Sequence, residues 1–434
     1  MSASTPESES VIATTIGADL ASPPRALPRV GPLFIAIYTL ALFGIWMAIN
    51  LPATVTLALR ISQIDPTNKT TSYSIVAGVG TLVALLANPL FGRLSDRTRS
   101  RFGRRRPWIV VGLLGTAIGA SVIAFSDTVG WLIVGWVLMQ AFINAAIAAS
   151  LAVVADRVPE SQQGLVGALS GATASASLVV GMFFIQAFPT SILAQVGLPV
   201  ALAIVFGFGL LFALKGDKPA EGAQTRLTVK ELLGAFYLNP RKSPDFAKFL
   251  LVIFFLSIGM GVAMTYSVYY LQDRIKVSDA DLPNVLFFSL LLTGVASLAI
   301  APLAGWISDR TGRRKPMMLI AAIIAAIGMG VIVVAHDVLT FLIGQTIVAG
   351  VAVGIFYGIY IAFAIATLND TSTVARDLGL VNIAATLPFS IVPFAAPLLL
   401  GIGGGAPNYT LLYLVGGVIS LLCLIPLAFI RRTR

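Results

Sequence analysis

The sequence predicts an all-α, polytopic membrane protein: twelve transmembrane helices in two pseudo-symmetric six-helix halves. Three observations carry that expectation. The 434 residues are 57% hydrophobic and only 11% charged, with 40 glycines and 23 prolines, whereas a soluble chain is roughly 45–50% apolar and about 25% charged. The apolar residues fall into twelve runs, each long enough to cross about 30 Å of hydrocarbon as a helix of about 20 residues. One charged loop motif also occurs twice, once in each half of the chain.

Composition narrows the function classes as well. So few charges cannot solvate globular domains of this size, so a soluble enzyme and a disordered chain are both excluded. A single histidine (His336) and a single cysteine (Cys423) leave nothing for a His/Cys metal cage or a disulfide framework. No catalytic residue, metal or cofactor is expected.

The runs lie near 32–58, 73–94, 107–126, 131–154, 164–187, 196–214, 247–271, 283–306, 316–335, 338–367, 379–401 and 409–430. They are too continuous for a β-barrel, whose strands alternate over about ten residues. Residues 1–30 are Ser/Thr/Pro-rich and carry Glu7, Glu9 and Asp19. Without a charged segment leading into an apolar one, they predict a disordered cytoplasmic tail and no cleaved signal. The longest polar interval, 215–246, divides the chain into a six-helix half at 31–214 and a second at 247–430, with a short tail at 431–434.

Lysine and arginine orient these spans. With the N-terminus inside, 25 of the 29 basic residues fall in cytoplasmic segments, leaving Arg60, Lys69, Arg274 and Lys276 outside. That bias follows the positive-inside rule. Both termini are therefore expected in the cytoplasm of a plasma or inner membrane. The +10 net charge reads as topogenic, so the expected partners are the lipid bilayer and a small solute, with no nucleic acid.

The halves repeat residue by residue. After span two the chain reads NPLFGRLSDRTRSRFGRRRPW, and after span eight APLAGWISDRTGRRKPM. Pro89, Gly92, Ser95, Asp96, Arg97 and Thr98 match Pro302, Gly305, Ser308, Asp309, Arg310 and Thr311 at a constant offset of 213. After a four-residue insert, Gly103, Arg104, Arg105 and Pro107 match Gly312, Arg313, Arg314 and Pro316. Internal repeats with a substrate site between them mark transporters. These G-x-x-S-D-R-T…G-R-R-[RK]-P loops resemble the inter-helix motif of the major facilitator superfamily, in both of its customary places. Within that superfamily, SDRTRSRFGRRRPW is similar to the loop of sucrose transporters and, more loosely, of glycoside–pentoside–hexuronide symporters. The resemblance implies secondary transport by alternating access, with a sugar or glycoside first among solutes.

The motif residues suggest a cytoplasmic gate formed by Gly92, Asp96, Arg97, Gly103 and Arg104, with Gly305, Asp309, Arg310, Gly312 and Arg313 as its repeat. A carboxylate is favoured at a helix N-terminus. Asp96 is accordingly expected to dock on the start of span eleven, and Asp309 near Gln163 at the start of span five. Such contacts would be made when the protein opens outward and broken when it opens inward. The glycines allow the tight turns these loops need.

Polar side chains within spans are costly in lipid and face the bundle interior. Counting from the span ends places Asn50, Gln140, Asn144, Tyr266, Gln345 and Tyr357 around a central cavity, and the resemblance adds that spans one, four, seven and ten line it. Gln140 and Asn144, four apart, share a helical face. Interhelical bonding is the competing reading of that pair. Tyr269, Tyr270, Trp131 and Trp108 are expected in an interfacial aromatic belt; Trp46 either stacks on a sugar ring or packs.

A drug exporter of the same build is the rival reading. It would usually carry a Gly-Pro-rich motif in span five and an arginine in span four, whereas here the first proline is Pro189 and the first arginine Arg157. A membrane enzyme or sensor would need a catalytic constellation or soluble domain, and neither is visible. No Asp, Glu or His falls at mid-span, where a proton or sodium relay normally sits. This departs from the melibiose-type symporters, which the resemblance would otherwise suggest, and predicts facilitated diffusion or coupling through the substrate.

Overall fold

The computed structural model describes residues 28–217, 243–368 and 374–431. Twelve helices are long and apolar enough to span a membrane: Pro32–Ile64, Lys69–Asp96, Arg106–Phe125, Val129–Arg157, Ser161–Ala187, Ile192–Ala213, Pro244–Thr265, Leu282–Thr311, Lys315–Val333, Val338–Thr367, Gly379–Leu400 and Tyr409–Ala428. These are spans one to twelve. They carry the architecture expected from the apolar runs, and no strand occurs among the described residues.

Helix starts follow local chemistry, and differ between the two ends of the bundle. At the end bearing the motif loops, here the basic end, spans one, three, seven and nine open with Pro32, Pro107, Pro244 and Pro316 in the first two positions. Proline suits that place because its missing N–H would be unpaired anyway. At the opposite end, here the outer end, side chains cap four of the six spans that start there, while span eight again opens with a proline, Pro283. Thr128, Ser191, Asp337 and Asn408 accept from the backbone N–H of Trp131, Ala194, Thr340 and Leu411, each satisfying an otherwise orphaned donor. Prolines also mark irregularities. Pro52 opens a π turn, Pro52–Thr56, in span one, and Pro388 restarts span eleven after a break at Leu387, as expected of a residue that cannot donate within a helix. Further π segments occupy Leu271–Ile275, continuing span seven, and Thr346–Ala352 in span ten.

Packing obeys the repeat. Span one packs on five and six, three on four and six, and two on four. In the second half, seven packs on eleven and twelve, nine on ten and twelve, and eight on ten. Small residues permit the closest approaches. A Cβ on Gly119 would lie 2.8 Å from the Gly135 carbonyl, and one on its counterpart Gly328 would lie 3.0 Å from that of Gly344.

The two halves meet along two seams, span two against the Pro388–Leu400 part of span eleven and span five against span eight. One apolar core joins the whole first half to the outer part of the second, through Tyr266, Tyr269, Tyr270 and Tyr413. A second core, around Phe246, Phe249, Met318 and Phe363, contains second-half residues alone among those described. At the basic end, a Cβ on Gly164, Gly167, Gly171 or Gly379 would meet nothing within 4 Å. Among the described residues, the hydrogen bonds that join the halves gather at the outer end, and the basic end is the more open of the two.

Candidate functional site

The outer seal is built from tyrosines. The Tyr266 hydroxyl lies 2.6 Å from Ser74 Oγ across the halves, and the Tyr269 hydroxyl donates to the Ala58 carbonyl at 3.2 Å. Tyr73 meets both rings edge-on, with centroids 6.1 and 5.4 Å away. Tyr270 donates to the carbonyls of Ile332 and Ala335. Tyr269 and Tyr270 are fully buried, so the aromatic belt expected of them is corrected: Tyr73 and Ala58 of the facing half cover Tyr269, and Phe341, Tyr409 and Tyr413 of its own half enclose Tyr270. Trp131 does stand exposed, and Trp108 Nε1 donates to Thr98 Oγ1 at 2.7 Å.

Of the six residues expected to line a cavity, Gln140 and Asn144 stand together, both buried. Asn144 Nδ2 donates to the Gln140 carbonyl at 2.8 Å. Its Oδ1 accepts from Asn88 Nδ2 of span two at 3.3 Å, and Asn88 was not among the expected residues. The signal was available, because Asn88 is an amide inside an apolar run, immediately before the helix proline Pro89. The other four go elsewhere. Asn50 ties span one to span five, donating to the Ala174 carbonyl at 3.2 Å and to Ser177 Oγ at 3.1 Å. Gln345 Nε2 donates to the Ala263 carbonyl at 3.3 Å, and its buried Oε1 has no hydrogen-bond partner. Tyr266 belongs to the outer seal. Tyr357 is 54% exposed, with its ring edge-on to Phe356 and Tyr360 of its own span.

At the basic end, a buried arginine organises the first motif loop. Arg105 Nη2 contacts Asp96 Oδ1 at 2.6 Å and its Nε contacts Asp156 Oδ2 at 2.7 Å; Nη1 donates to Ser95 Oγ at 3.1 Å. Arg104 reaches the same Asp156, Nη2 to Oδ1 at 2.6 Å. Burial works against the Arg105 charge, and the two carboxylates more than offset it, so its pKa stays above the ordinary value. Neither Arg105 nor Asp156 was among the expected gate residues. Asp217 joins them, accepting from the Arg105 backbone N–H at 2.8 Å.

The expected docking of Asp96 on span eleven is not the arrangement here. Asp96 is held by Arg105 of its own loop, and Asp309 is exposed. Gln163, the expected neighbour of Asp309, donates instead to the Val158 carbonyl. Arg310 lies over the Trp306 ring, 5.3 Å from its centroid. Gly92 and Gly305 face spans four and ten, where a Cβ would lie 3.9 Å from Ala148 Cβ and 3.2 Å from the Gly358 carbonyl.

The repeated glycines make an internal comparison. Gly103 and Gly312 both adopt positive φ, 93° and 64°. A Cβ on Gly103 would lie 2.2 Å from Asp217 Oδ2, whereas one on Gly312 meets nothing within 4 Å. A left-handed non-glycine residue costs about 1–2 kcal/mol. Gly312→Ala should cost that alone. Gly103→Ala must also displace Asp217 from the Arg105 N–H, a hydrogen bond to a charged group worth about 1.5–3 kcal/mol. Thermal unfolding of the two variants should show the first-half change to be the more damaging. Equal shifts would mean that Asp217 does not hold the loop.

The sequence model of the Major Facilitator Superfamily matches residues 33–296 and 284–434. The crystal structure of the nucleoside transporter NupG aligns with a TM-score of 0.72, covering 92% of this chain and 99% of that one at 12% identity. Among curated proteins, the sucrose transport protein SUC4 of Arabidopsis thaliana is 41% identical over 58 residues, 13% of this chain and 11% of that one. The human proton-associated sugar transporter A is likewise 41% identical over 58 residues, covering 13% of this chain and 8% of its own. These local matches thus span about a tenth of each relative, while the family match runs through both halves and every span. The chain belongs to the Major Facilitator Superfamily.

Proposed function

We propose that this protein is a secondary transporter of a small, neutral, polyhydroxylated solute, a sugar or glycoside, working by alternating access between its two halves. The observation that carries the solute class is the Asn88–Asn144–Gln140 cluster. Amides both donate and accept, which suits hydroxyl groups and offers no countercharge to an ion. Among the described residues, Asp, Glu, Lys and Arg lie at span ends or in loops. The local likeness to sucrose and sugar transport proteins supports the same class. The excess of lysine and arginine at the basic end supports placing that end, with both termini, in the cytoplasm of a cell membrane. The sealed outer end and more open basic end then correspond to an inward-facing state.

The test is uptake by proteoliposomes holding the purified protein, measured with sucrose, maltose and simple glucosides against uridine as comparator. Saturable sugar uptake, competed by other members of the panel, is expected, and it should equilibrate without accumulating under a proton or sodium gradient, since no mid-span acid or histidine is available. Transport of uridine with no sugar carried would overturn the solute class. Uphill sugar accumulation abolished by an ionophore would overturn the uncoupled reading while leaving the solute class intact.

A further inference from the structure

Among the described residues, charge bridges the halves at one place in the outer seal. Lys69 opens span two in the first half, and its Nζ lies 2.7 Å from Asp273 Oδ1 of the second. The other Asp273 oxygen accepts from the Tyr409 hydroxyl of span twelve at 2.6 Å. Gln272 Oε1 accepts from Lys69 Nζ and from Ser62 Oγ, each at 3.4 Å, and the Lys69 ammonium stands 5.3 Å from the Tyr269 ring centroid. The two charged side chains are only 19% and 22% exposed. This pair therefore differs from the surface ion pairs that contribute almost nothing.

Two features set the cluster apart from general packing. The fold repeat would place a symmetric pair between the ends of spans one and eight, beside the seam of spans five and eight, but the 213-residue offset puts Leu282 in the place of Lys69 and Arg60 in the place of Asp273. That other seam is joined by a neutral, exposed contact, Gln186 Nε2 to Asn284 Oδ1 at 3.1 Å. Backbone geometry also serves the pair. Gln272 and Asp273 lie in the π turn Leu271–Ile275, whose wider circuit turns fewer degrees per residue than an α turn and lets consecutive side chains reach one ammonium. The turn ends at Lys276, which holds a left-handed φ of 64°. Such π turns and left-handed non-glycine residues concentrate at functional sites.

We propose that Lys69, Asp273 and Tyr409 form an ionic latch that holds the outer end shut and sets the ratio of inward-facing to outward-facing protein. Opening that end must separate Lys69 from Asp273, because they belong to different halves, while Tyr409 stays with Asp273 in its own half and keeps the carboxylate positioned for reclosure. The latch rests on the alternating-access reading and is independent of which solute is carried.

The experiment is distance measurement by pulsed electron paramagnetic resonance on the full chain in lipid, in a Cys423→Ala background. One spin-label pair spans the outer end, at Thr67 and Asp279, and another the basic end, at Phe102 and Thr311; all four positions are exposed. Lys69→Met and Asp273→Asn should each raise the population with a long outer and short basic distance about tenfold, in the range expected for breaking a partly buried ion pair. Tyr409→Phe, which loses one hydrogen bond and no charge, should give a smaller rise of about threefold. The reversed pair, Lys69→Asp with Asp273→Lys, should return the ratio toward wild type, which no effect of misfolding would do. Wild-type distributions that move when sucrose is added, with every latch variant unchanged from wild type, would overturn the latch alone. A single outer-closed distribution in all proteins, with and without sucrose, would overturn both the latch and alternating access.

Discussion

Arg105→Ala is expected to be the most destabilising single change in the basic loops, at about 3 kcal/mol. The Arg105 side chain is 5% exposed and binds Asp156, itself 16% exposed, together with Asp96 and Ser95. Removing one partner of a buried ion pair typically costs 3–5 kcal/mol, because it strands the other charge; here Arg104 still reaches Asp156, which holds the figure to the low end. Arg105→Lys should recover little. A lysine is a single point charge and cannot span Asp96 and Asp156 through separate nitrogens as the planar guanidinium does. Arg101, four residues earlier, lies exposed with its guanidinium 4.8 Å from the Phe102 ring centroid, and Arg101→Ala should stay within about 0.5 kcal/mol. Thermal unfolding in detergent checks all three. If Arg105→Ala and Arg101→Ala melt together, the loop arginines are topological signals and nothing more.

That contrast shows where sequence reasoning reaches and where it stops. The twelve spans were legible because membrane solvation is a one-dimensional filter: every run of about 20 apolar residues is a candidate helix whatever it touches. The repeat was legible too, since Asp96 and Asp309 announce each other at fixed spacing. Within the loop, however, seven arginines look alike from sequence, and only the fold decides that Arg105 is buried while Arg101 is not. Asp156 lies 51 residues from Arg105, at the end of another helix, so no local pattern links them. Asp217 read as part of the central loop, yet it closes the first motif loop from 112 residues away. Tyr269 and Tyr270 show the converse error. Their position near a span end suits lipid headgroups, and only the folded bundle makes them core, Tyr269 against Tyr73 of the opposite half and Tyr270 among Phe341, Tyr409 and Tyr413 of its own. The π turns had no signal beyond Pro52, because a one-residue change of helical register leaves the apolar pattern intact. Asn88 was legible and overlooked.

Replacing Asn144 with leucine should weaken solute binding about tenfold or more with the fold retained. Leucine is similar in size to asparagine, so the packing of span four on spans two and three survives. The change removes the Oδ1 that accepts from Asn88 and the Nδ2 that donates to the Gln140 carbonyl. A buried polar group left without its partner costs about 1–3 kcal/mol, and every 1.4 kcal/mol is tenfold in affinity. If the amides of Asn88, Asn144 and Gln140 exchange their mutual bonds for solute hydroxyls, the variant loses those bonds in the bound state as well, so KM for sugar uptake rises alongside a modest fall in unfolding temperature. Asn50→Leu is the comparison. Among the described residues, Asn50 bonds Ala174 and Ser177 of span five, so its loss should lower the unfolding temperature and leave KM within about twofold, the span of an effect below 0.5 kcal/mol. The two variants therefore separate a binding amide from a structural one in the same half. If Asn144→Leu lowers stability and leaves KM unchanged, the cluster is an interhelical staple, and the solute must bind elsewhere along the path between the halves.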